Sequence, residues 1–460
     1  MNTLKFINRE AEMGELGELE KLSKKKLFVA ALYGLRRVGK TRLLLEFLGR
    51  RGMYFFVNRN KTSADLLAEY QQVLRANGVL GELETLENWD RFAETIMKRD
   101  VPPVVFDEFQ NFGAVEPSIY GIMQKSIDMN EDKPGLVILS GSTIGLMKKL
   151  FKSSKEPLYG RIKQGKKLEP LSLKSCLQIG RELDLGKEEL IKLYLLFGGY
   201  PRYYVAVEDF GLNGRTAEEI VQKLFLDKDA PLEDEANGIL SQEFGGRSGV
   251  YYSILEAIAT GNNTISAIAG YLNAPATSLT RQINEPRDHF ELIELERPYY
   301  GKRGNYRIRH PLMQFWFSQF YRNYSDYVAR KPEFVDSLVR NLNSAYGRCF
   351  ERAAREFLAS ELRLEDAGRQ WGKIQGAEKG KNAYEIDLIG KGGGKFYAFE
   401  FKWKEISPKE AAGILDGLKE KLRYVPLAPQ GARLGIVAKK IREKERMRAA
   451  GYLAYDLDDF

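Results

Sequence analysis

The sequence predicts an α/β chain in which a parallel sheet wound with helices is followed by a helical segment, a small helical domain and a second α/β domain. Three observations carry this. Apolar runs alternate with helical stretches from 27 to 173, as in a parallel sheet. Three helical stretches and two β-rich runs then fill 250–309, and AYEIDLIGKG (383–392) and GKFYAFEFKWKE (394–405) read as neighbouring hairpin strands.

Residues 8–26, NREAEMGELGELEKLSKKK, show apolar residues at helical spacing, with Asn8 placed to cap the helix. Residues 27–48, LFVAALYGLRRVGKTRLLLEFL, then pass from strand through a glycine loop into an amphipathic helix. Gly34 and Gly39 bracket Leu35, Arg36, Arg37 and Val38, and Lys40, Thr41 and Arg42 follow, which gives GxxxxGK[ST] in its required context. Glycines at the two ends let successive N–H groups turn inward around an anion, and the helix N-terminus points its dipole at the same place. Lys40 supplies a mobile charge for the outer phosphates of ATP, and the Thr41 hydroxyl is a ligand for Mg2+.

GMYFFVNRN (52–60) reads as a second strand, and 63–78 and 84–98 as helices. The apolar strand in VPPVVFDEFQNF (101–112) ends in Asp107 and Glu108. Asp107 at the carboxyl edge of a parallel sheet suits a metal-bound water, and Glu108 suits the orientation or deprotonation of attacking water. GLVILSGS (135–142) is a further strand. Its Ser140 or Ser142 can sense a γ-phosphate, or the pair is a serine-rich turn. Arg161, beside Gly160, reads either as an arginine finger, in cis or from a neighbouring subunit, or as a surface arginine.

Residues 174–245 read as helical, broken by FGGYPRYY (197–204), and suggest a lid near the nucleotide. YYSILEAIATG, NTISAIAGYLN and ATSLTRQINEPRDHF followed by a hairpin outline a winged helix. Its third helix would present Thr277, Ser278, Thr280, Arg281 and Gln282 to a DNA major groove, or the module serves protein contacts. HPLMQFWFSQFYRNY (310–324) is aromatic at helical spacing and reads as core.

The last domain holds a second constellation. Glu351 lies on a helix around 345–358, Glu385 and Asp387 on one strand, and Glu400 and Lys402 on the next. Strand alternation puts Glu400 and Lys402 on one face, where Asp387 can meet them. Two carboxylates there can hold Mg2+, and the lysine can position or activate water for attack at phosphorus.

At 460 residues the chain is long enough for about three domains. With 43% hydrophobic and 29% charged residues and no run approaching ~18 apolar residues, the composition is that of a soluble globular protein. MNTLKFINRE has no apolar signal-peptide core, so a cytoplasmic location without membrane association is expected. Cys176 and Cys349 are the only cysteines, and His289 and His310 the only histidines, so a metal site must rest on carboxylates and favours magnesium or manganese over zinc. A net charge of +8 permits nucleic-acid binding without requiring it. Positive charge concentrates in 433–448 and in 281–309, through Arg281, Arg287, Arg297, Lys302, Arg303, Arg307 and Arg309. Such runs are commonly solvated helix faces.

NREAEMGELGEL, GLRRVGKT, VVFDEFQ, SGS, PLYGR and GGYPRYY together resemble the archaeal ATPase family, relatives of the AAA+ and STAND nucleotide switches. The resemblance implies a P-loop NTPase core at 1–173, a helical lid at 174–245, a winged helix at 246–330 and a restriction-endonuclease-like domain at 331–460. In that last domain FERAAREFL, EIDLIG and FEFK are similar to the PD-(D/E)XK pattern, which implies a nuclease-type role for Glu351, Asp387, Glu400 and Lys402. It further implies ATP phosphates at Gly34 to Thr41, magnesium and water at Asp107 and Glu108, and Arg9 near the base. The partners expected are ATP, DNA through the winged helix, and a second copy of the chain if Arg161 acts from a neighbouring subunit. His310 stands where the family pattern carries an aspartate, a departure that touches wing packing rather than chemistry.

Overall fold

The computed structural model describes residue 4 and residues 6–97, 101–244, 249–376, 378, 382–426 and 431–460. The chain forms two compact units. One comprises the residues up to Leu171 together with Tyr200–Val205 and Asp288–Glu291, and the other comprises Ser172–Gly199, Ala206–Arg287 and Leu292–Phe460.

In the first unit five parallel strands, β1 (Leu27–Tyr33), β2 (Met53–Phe56), β3 (Val104–Asp107), β4 (Gly135–Gly141) and β5 (Gln164–Lys167), are ordered β2-β3-β4-β1-β5. Their odd and even residues bury opposite faces, because strand side chains alternate. Val29, Ala31, Phe55, Phe106, Val137 and Leu139 join one core with Tyr70, Trp89 and Phe92 from the helices Ser63–Ala76 and Trp89–Ile96. Ala30, Leu32 and Ile138 face Leu16, Leu19 and Leu43 on the other side. Helices on both faces explain why these strands are apolar throughout rather than alternating.

Two helix starts differ from the sequence reading. The first helix runs Glu10–Ser23 with Arg9, not Asn8, at the N-cap position. The second difference is at 84–98, where the helix begins only at Trp89. Asn88 accepts from the Arg91 N–H and caps it, so LEN lies outside the helix.

The second unit contains the sheet β12-β11-β10-β9-β8, built from β8 (Asp366–Lys373), β9 (Ala383–Gly392), β10 (Lys395–Ile406), β11 (Arg433–Ile441) and β12 (Leu453–Tyr455). β9 and β10 form a hairpin through Gly393 and Gly394, both at positive φ, the geometry of a two-residue turn that follows strand twist. The segment 433–448, where positive charge concentrates, is a strand followed by the short helix Lys444–Ala449. Gly435–Ala438 are buried on an inner strand between β10 and β12.

Glu356, on the helix Pro332–Glu361, accepts from the Leu173 N–H at 2.7 Å and from the Tyr194 hydroxyl at 2.5 Å. The helices Leu173–Glu182 and Lys187–Phe197, expected in a lid, are therefore tied to the C-terminal domain's long helix. Three helices, Gly249–Ala259, Ile265–Leu272 and Ala276–Asn284, precede an antiparallel pair, β6 (Ile293–Glu296) and β7 (Asn305–Ile308). The loop of that pair sits on the edge strand β8, where the Tyr299 N–H donates to the Arg369 carbonyl at 2.8 Å and the Tyr300 N–H to Gln370 Oε1 at 2.8 Å. An edge covered in this way is not offered to another chain.

Much of the positive charge is matched internally. Arg307 pairs with Glu294 and Glu296, Arg309 with Glu294, Arg442 with Glu405, Lys444 with Asp456 and Asp459, and Arg448 with Glu445 and Asp459. Arg281, Arg297, Lys302 and Arg303 are the exposed cations left in 281–309. Cys176 is buried, and burial pushes the Cys349 thiol up to about 11, so Cys349 stays a protonated thiol near neutrality.

His310 is buried beside Arg352, and burial lowers its imidazole from the usual 6.5 to about 3. The folded state thus resists a proton that the unfolded chain binds, so stability is full above pH 6.5 and falls as pH drops toward 3. Loss of about 1.4 kcal/mol per pH unit within that window is expected from this residue alone. Denaturation midpoints of the parent and of His310→Gln should converge as pH is lowered from 7 to 5; a constant difference contradicts the assignment.

Candidate active site

β1 leads into the loop at its carboxyl edge, and the helix Lys40–Leu48 leaves it. Both bracketing glycines are required. A Cβ at Gly34 would lie 2.5 Å from the Leu168 carbonyl oxygen, and Gly39 has φ +94. Arg37 also takes a left-handed conformation, at φ 68. The Lys40 ammonium, buried, donates to the carbonyls of Gly34 at 2.8 Å and Leu35 at 3.0 Å and so folds back over the loop. Val38 is fully buried and anchors the loop's far side.

β3 is separated from β1 by β4 alone, so its end lies about 10 Å from the loop strand. That suffices for side chains to meet. The Thr41 hydroxyl donates to Asp107 Oδ2 at 2.6 Å, and the Tyr54 hydroxyl donates to the same oxygen at 2.8 Å. The Glu108 N–H donates to Asp107 Oδ1 at 3.0 Å, so both carboxylate oxygens are engaged. Glu108 stands at φ 56, an unusual angle for glutamate of the sort held in place at functional sites. Its carboxylate accepts from Ser142 Oγ at 2.7 Å and from Gln110 Nε2, and Arg36 lies 3.9 Å away. Of the two serines, Ser142 therefore reaches the acidic pair, while Ser140 is buried within β4.

Three further expected residues have partners of their own. Arg9 donates to the Val38 carbonyl at 3.0 Å and the Glu169 carbonyl at 2.9 Å and pairs with Glu12, so it braces the loop's backbone. Arg42 is exposed and lies 3.8 Å from Glu46 along its own helix. Arg161 forks onto Asp128 at 3.0 and 2.9 Å. The nearby Lys163 N–H donates to the Val29 carbonyl, which puts Arg161 toward the amino edge of the sheet, away from the loop by much of the length of β1. Seven strand residues at about 3.3 Å each span roughly 20 Å, so Arg161 cannot act as a finger on its own chain's loop.

In the C-terminal domain the register of β9 and β10, continued one residue past Phe399↔Leu388, sets Asp387 across from Glu400. Both are buried, and Lys402 Nζ lies 3.1 Å from Glu400 and 3.8 Å from Asp387. The Phe401 N–H donates to Asp387 Oδ2 at 2.7 Å. Even so, burial first, then Glu400 and Glu351, push Asp387 up to about 7. Glu351 is near enough to be felt, but its carboxylate pairs with Arg369 at 3.6 Å. Arg369 also pairs with Glu296 at 3.3 Å and with Glu385. Among the described residues no group of three or more histidine, cysteine or carboxylate side chains is set to hold a metal. A magnesium ion commonly takes only one or two carboxylates, with water and phosphate completing its shell, and Asp387 with Glu400 fits that demand, as do Thr41 with Asp107.

Sequence reasoning missed Tyr54, Gln110, Arg369 and Lys421. Lys421, on the helix Pro408–Leu422, donates to Glu400 Oε1 at 2.8 Å. No motif spacing marks it. Tyr54 had a readable signal, since it shares the face of β2 that looks toward the loop helix.

Residues 6–207 match an ATPase domain predominantly from Archaea, and residues 316–414 match a family of archaeal and bacterial proteins of unknown function. An uncharacterized protein of Methanocaldococcus jannaschii is 28% identical over 471 residues, covering 99% of this chain and 100% of that one. Among solved structures, a Walker-type ATPase of Pyrococcus abyssi superposes with a TM-score of 0.54 at 21% identity, over 68% of this chain and 96% of that one. The ORC2 protein of Aeropyrum pernix, in ADPNP and ADP complexes, superposes at 0.50 with 14% identity, over 74% of this chain and 96% of that one. These two likenesses agree with the parallel-sheet fold. No helix among the described residues is long and apolar enough to cross a membrane. With the loop, the Thr41–Asp107 pair and Glu108 in place, residues 6–207 match the ATPase domain found predominantly in Archaea, and the chain is a P-loop ATPase.

Proposed function

We propose that the chain is a magnesium-dependent ATPase that binds DNA and whose nucleotide state controls a nuclease-like centre in its C-terminal domain. Lys40 and the loop N–H groups would hold the phosphates, Thr41 and Asp107 the cation, and Glu108 the attacking water. Bound magnesium supplies charge neutralisation of the phosphates. The DNA part is supported by the helix Ala276–Asn284, which exposes Thr277, Ser278, Thr280 and Arg281 and partly exposes Gln282 in a winged-helix order of elements. Lys302 and Arg303, exposed in the hairpin loop, add phosphate-binding charge. A role for Arg161 would require a neighbouring copy of the chain.

One observation carries the nuclease half: Asp387 and Glu400, buried on adjacent strands, meet at Lys402. The same site favours a second reading. Glu400 is gripped by both Lys402 and Lys421, cations that compete with a metal for it, and a non-catalytic binding module would look the same. Cleavage assays on single- and double-stranded DNA with Mn2+ or Mg2+, with and without ATP, decide between them. Metal-dependent cleavage lost in Asp387→Ala supports the first reading, and nucleotide-dependent DNA binding without cleavage supports the second.

A further inference from the structure

We propose that Tyr54 is a positioning residue of the ATPase reaction, its hydroxyl holding the Asp107 carboxylate so that Thr41 is presented to a nucleotide-bound divalent cation. This rests on the reading that Thr41 and Asp107 take Mg2+. The geometry begins in β2, whose Met53 and Phe55 are buried in the main core while Tyr54 is half-buried on the opposite face. β2 pairs with β3 in parallel, Tyr54 beside Val105 and Phe56 beside Asp107. The tyrosine ring therefore reaches along the strand direction, and its hydroxyl arrives 2.8 Å from Asp107 Oδ2.

That oxygen also accepts the Thr41 hydroxyl at 2.6 Å. A hydroxyl that donates its proton to Asp107 keeps its lone pairs free for a cation, so the position of Oδ2 sets how Thr41 faces the loop. Without Tyr54 the carboxylate keeps Thr41 and the Glu108 N–H as donors but loses its tie to the edge strand. Ring packing alone would be met by phenylalanine; the hydroxyl is what needs another explanation. A phenol is protonated near neutrality, so the hydroxyl donates to the carboxylate. The hydroxyl of Tyr54 reaches the acidic pair, whereas Lys40 and the loop N–H groups are the ones placed for the phosphates. Its loss should thus touch the cation and spare the nucleotide.

The test compares parent, Tyr54→Phe and Tyr54→Ala as full chains, reading binding of an N-methylanthraniloyl ATP analogue in EDTA and across a Mg2+ titration. A hydrogen bond to a charged group is worth about a tenfold change in an equilibrium constant or more. Tyr54→Phe should therefore bind the analogue in EDTA within about twofold of the parent, while the Mg2+ concentration for half-maximal tightening rises about tenfold. Thermal melting should be nearly unchanged in Tyr54→Phe, because the ring is kept. Equal Mg2+ responses in parent and Tyr54→Phe overturn the proposal, as does a defect in Tyr54→Ala alone, which assigns the ring to packing. A Tyr54→Phe protein equally impaired in EDTA also overturns it. If the parent itself gains no affinity from Mg2+, the reading of Thr41 and Asp107 falls, and this inference falls with it.

Discussion

Glu108→Gln is expected to retain bound ATP and to lose hydrolysis by about a hundredfold or more, the range in which a positioned general base contributes. The substitution keeps the shape of the side chain and its place in the network of Ser142, Gln110 and Arg36, so the loop is undisturbed. What disappears is the negative charge able to draw a proton from water. Lys40→Ala should fail earlier. Lys40 donates to the Gly34 and Leu35 carbonyls, which holds its ammonium over the loop where the outer phosphates would lie. Its removal should weaken nucleotide binding itself. Equilibrium binding and phosphate release measured side by side separate the two variants. Hydrolysis at the parent rate in both would remove the site assignment.

Asp387→Ala carries the second large effect. Asp387 is a buried carboxyl whose ionisation is opposed by burial, Glu400 and Glu351, so the folded chain accepts an unfavourable charge arrangement there. Such an arrangement is expected where a cation is to be held, and it adds nothing to stability. Alanine should therefore leave the melting temperature unchanged or raise it slightly, while Mn2+ binding to the C-terminal domain and any cleavage fall at least about a hundredfold, since a bound metal contributes several kcal/mol. A marked drop in melting temperature with unaltered Mn2+ binding would instead make Asp387 a structural residue, held by the Phe401 N–H.

The hydrolytic site was largely legible in the sequence because its parts are local or strand-terminal. GLRRVGKT fixes a loop conformation through its glycines, and an apolar run ending in Asp107 and Glu108 must deliver them to the sheet edge. Asp387, Glu400 and Lys402 were equally readable, since hairpin register and alternation follow from period two. Residues that arrive through tertiary packing were not. Lys421 reaches Glu400 from a helix 21 positions on, and Arg369 sits on a strand that sequence patterning did not reveal. Charge reading failed for a related reason. Arg307, Arg309, Lys444 and Arg448 look basic in a line of text, but their carboxylate partners come from elsewhere in the chain or from the other side of a hairpin. For Arg161 the choice between a finger in cis and one from a neighbouring subunit was not readable, because the direction in which the chain enters β5 decides which sheet edge it serves.

The coupling of nucleotide state to the C-terminal centre is tested most directly with Glu108→Gln, which holds ATP without turning it over. Cleavage of duplex DNA in Mn2+ should be compared between this variant with saturating ATP and the same protein without nucleotide. Rates should differ severalfold or more, with the difference abolished by adding Lys40→Ala. Equal rates in the two states, or no cleavage in either, would contradict it.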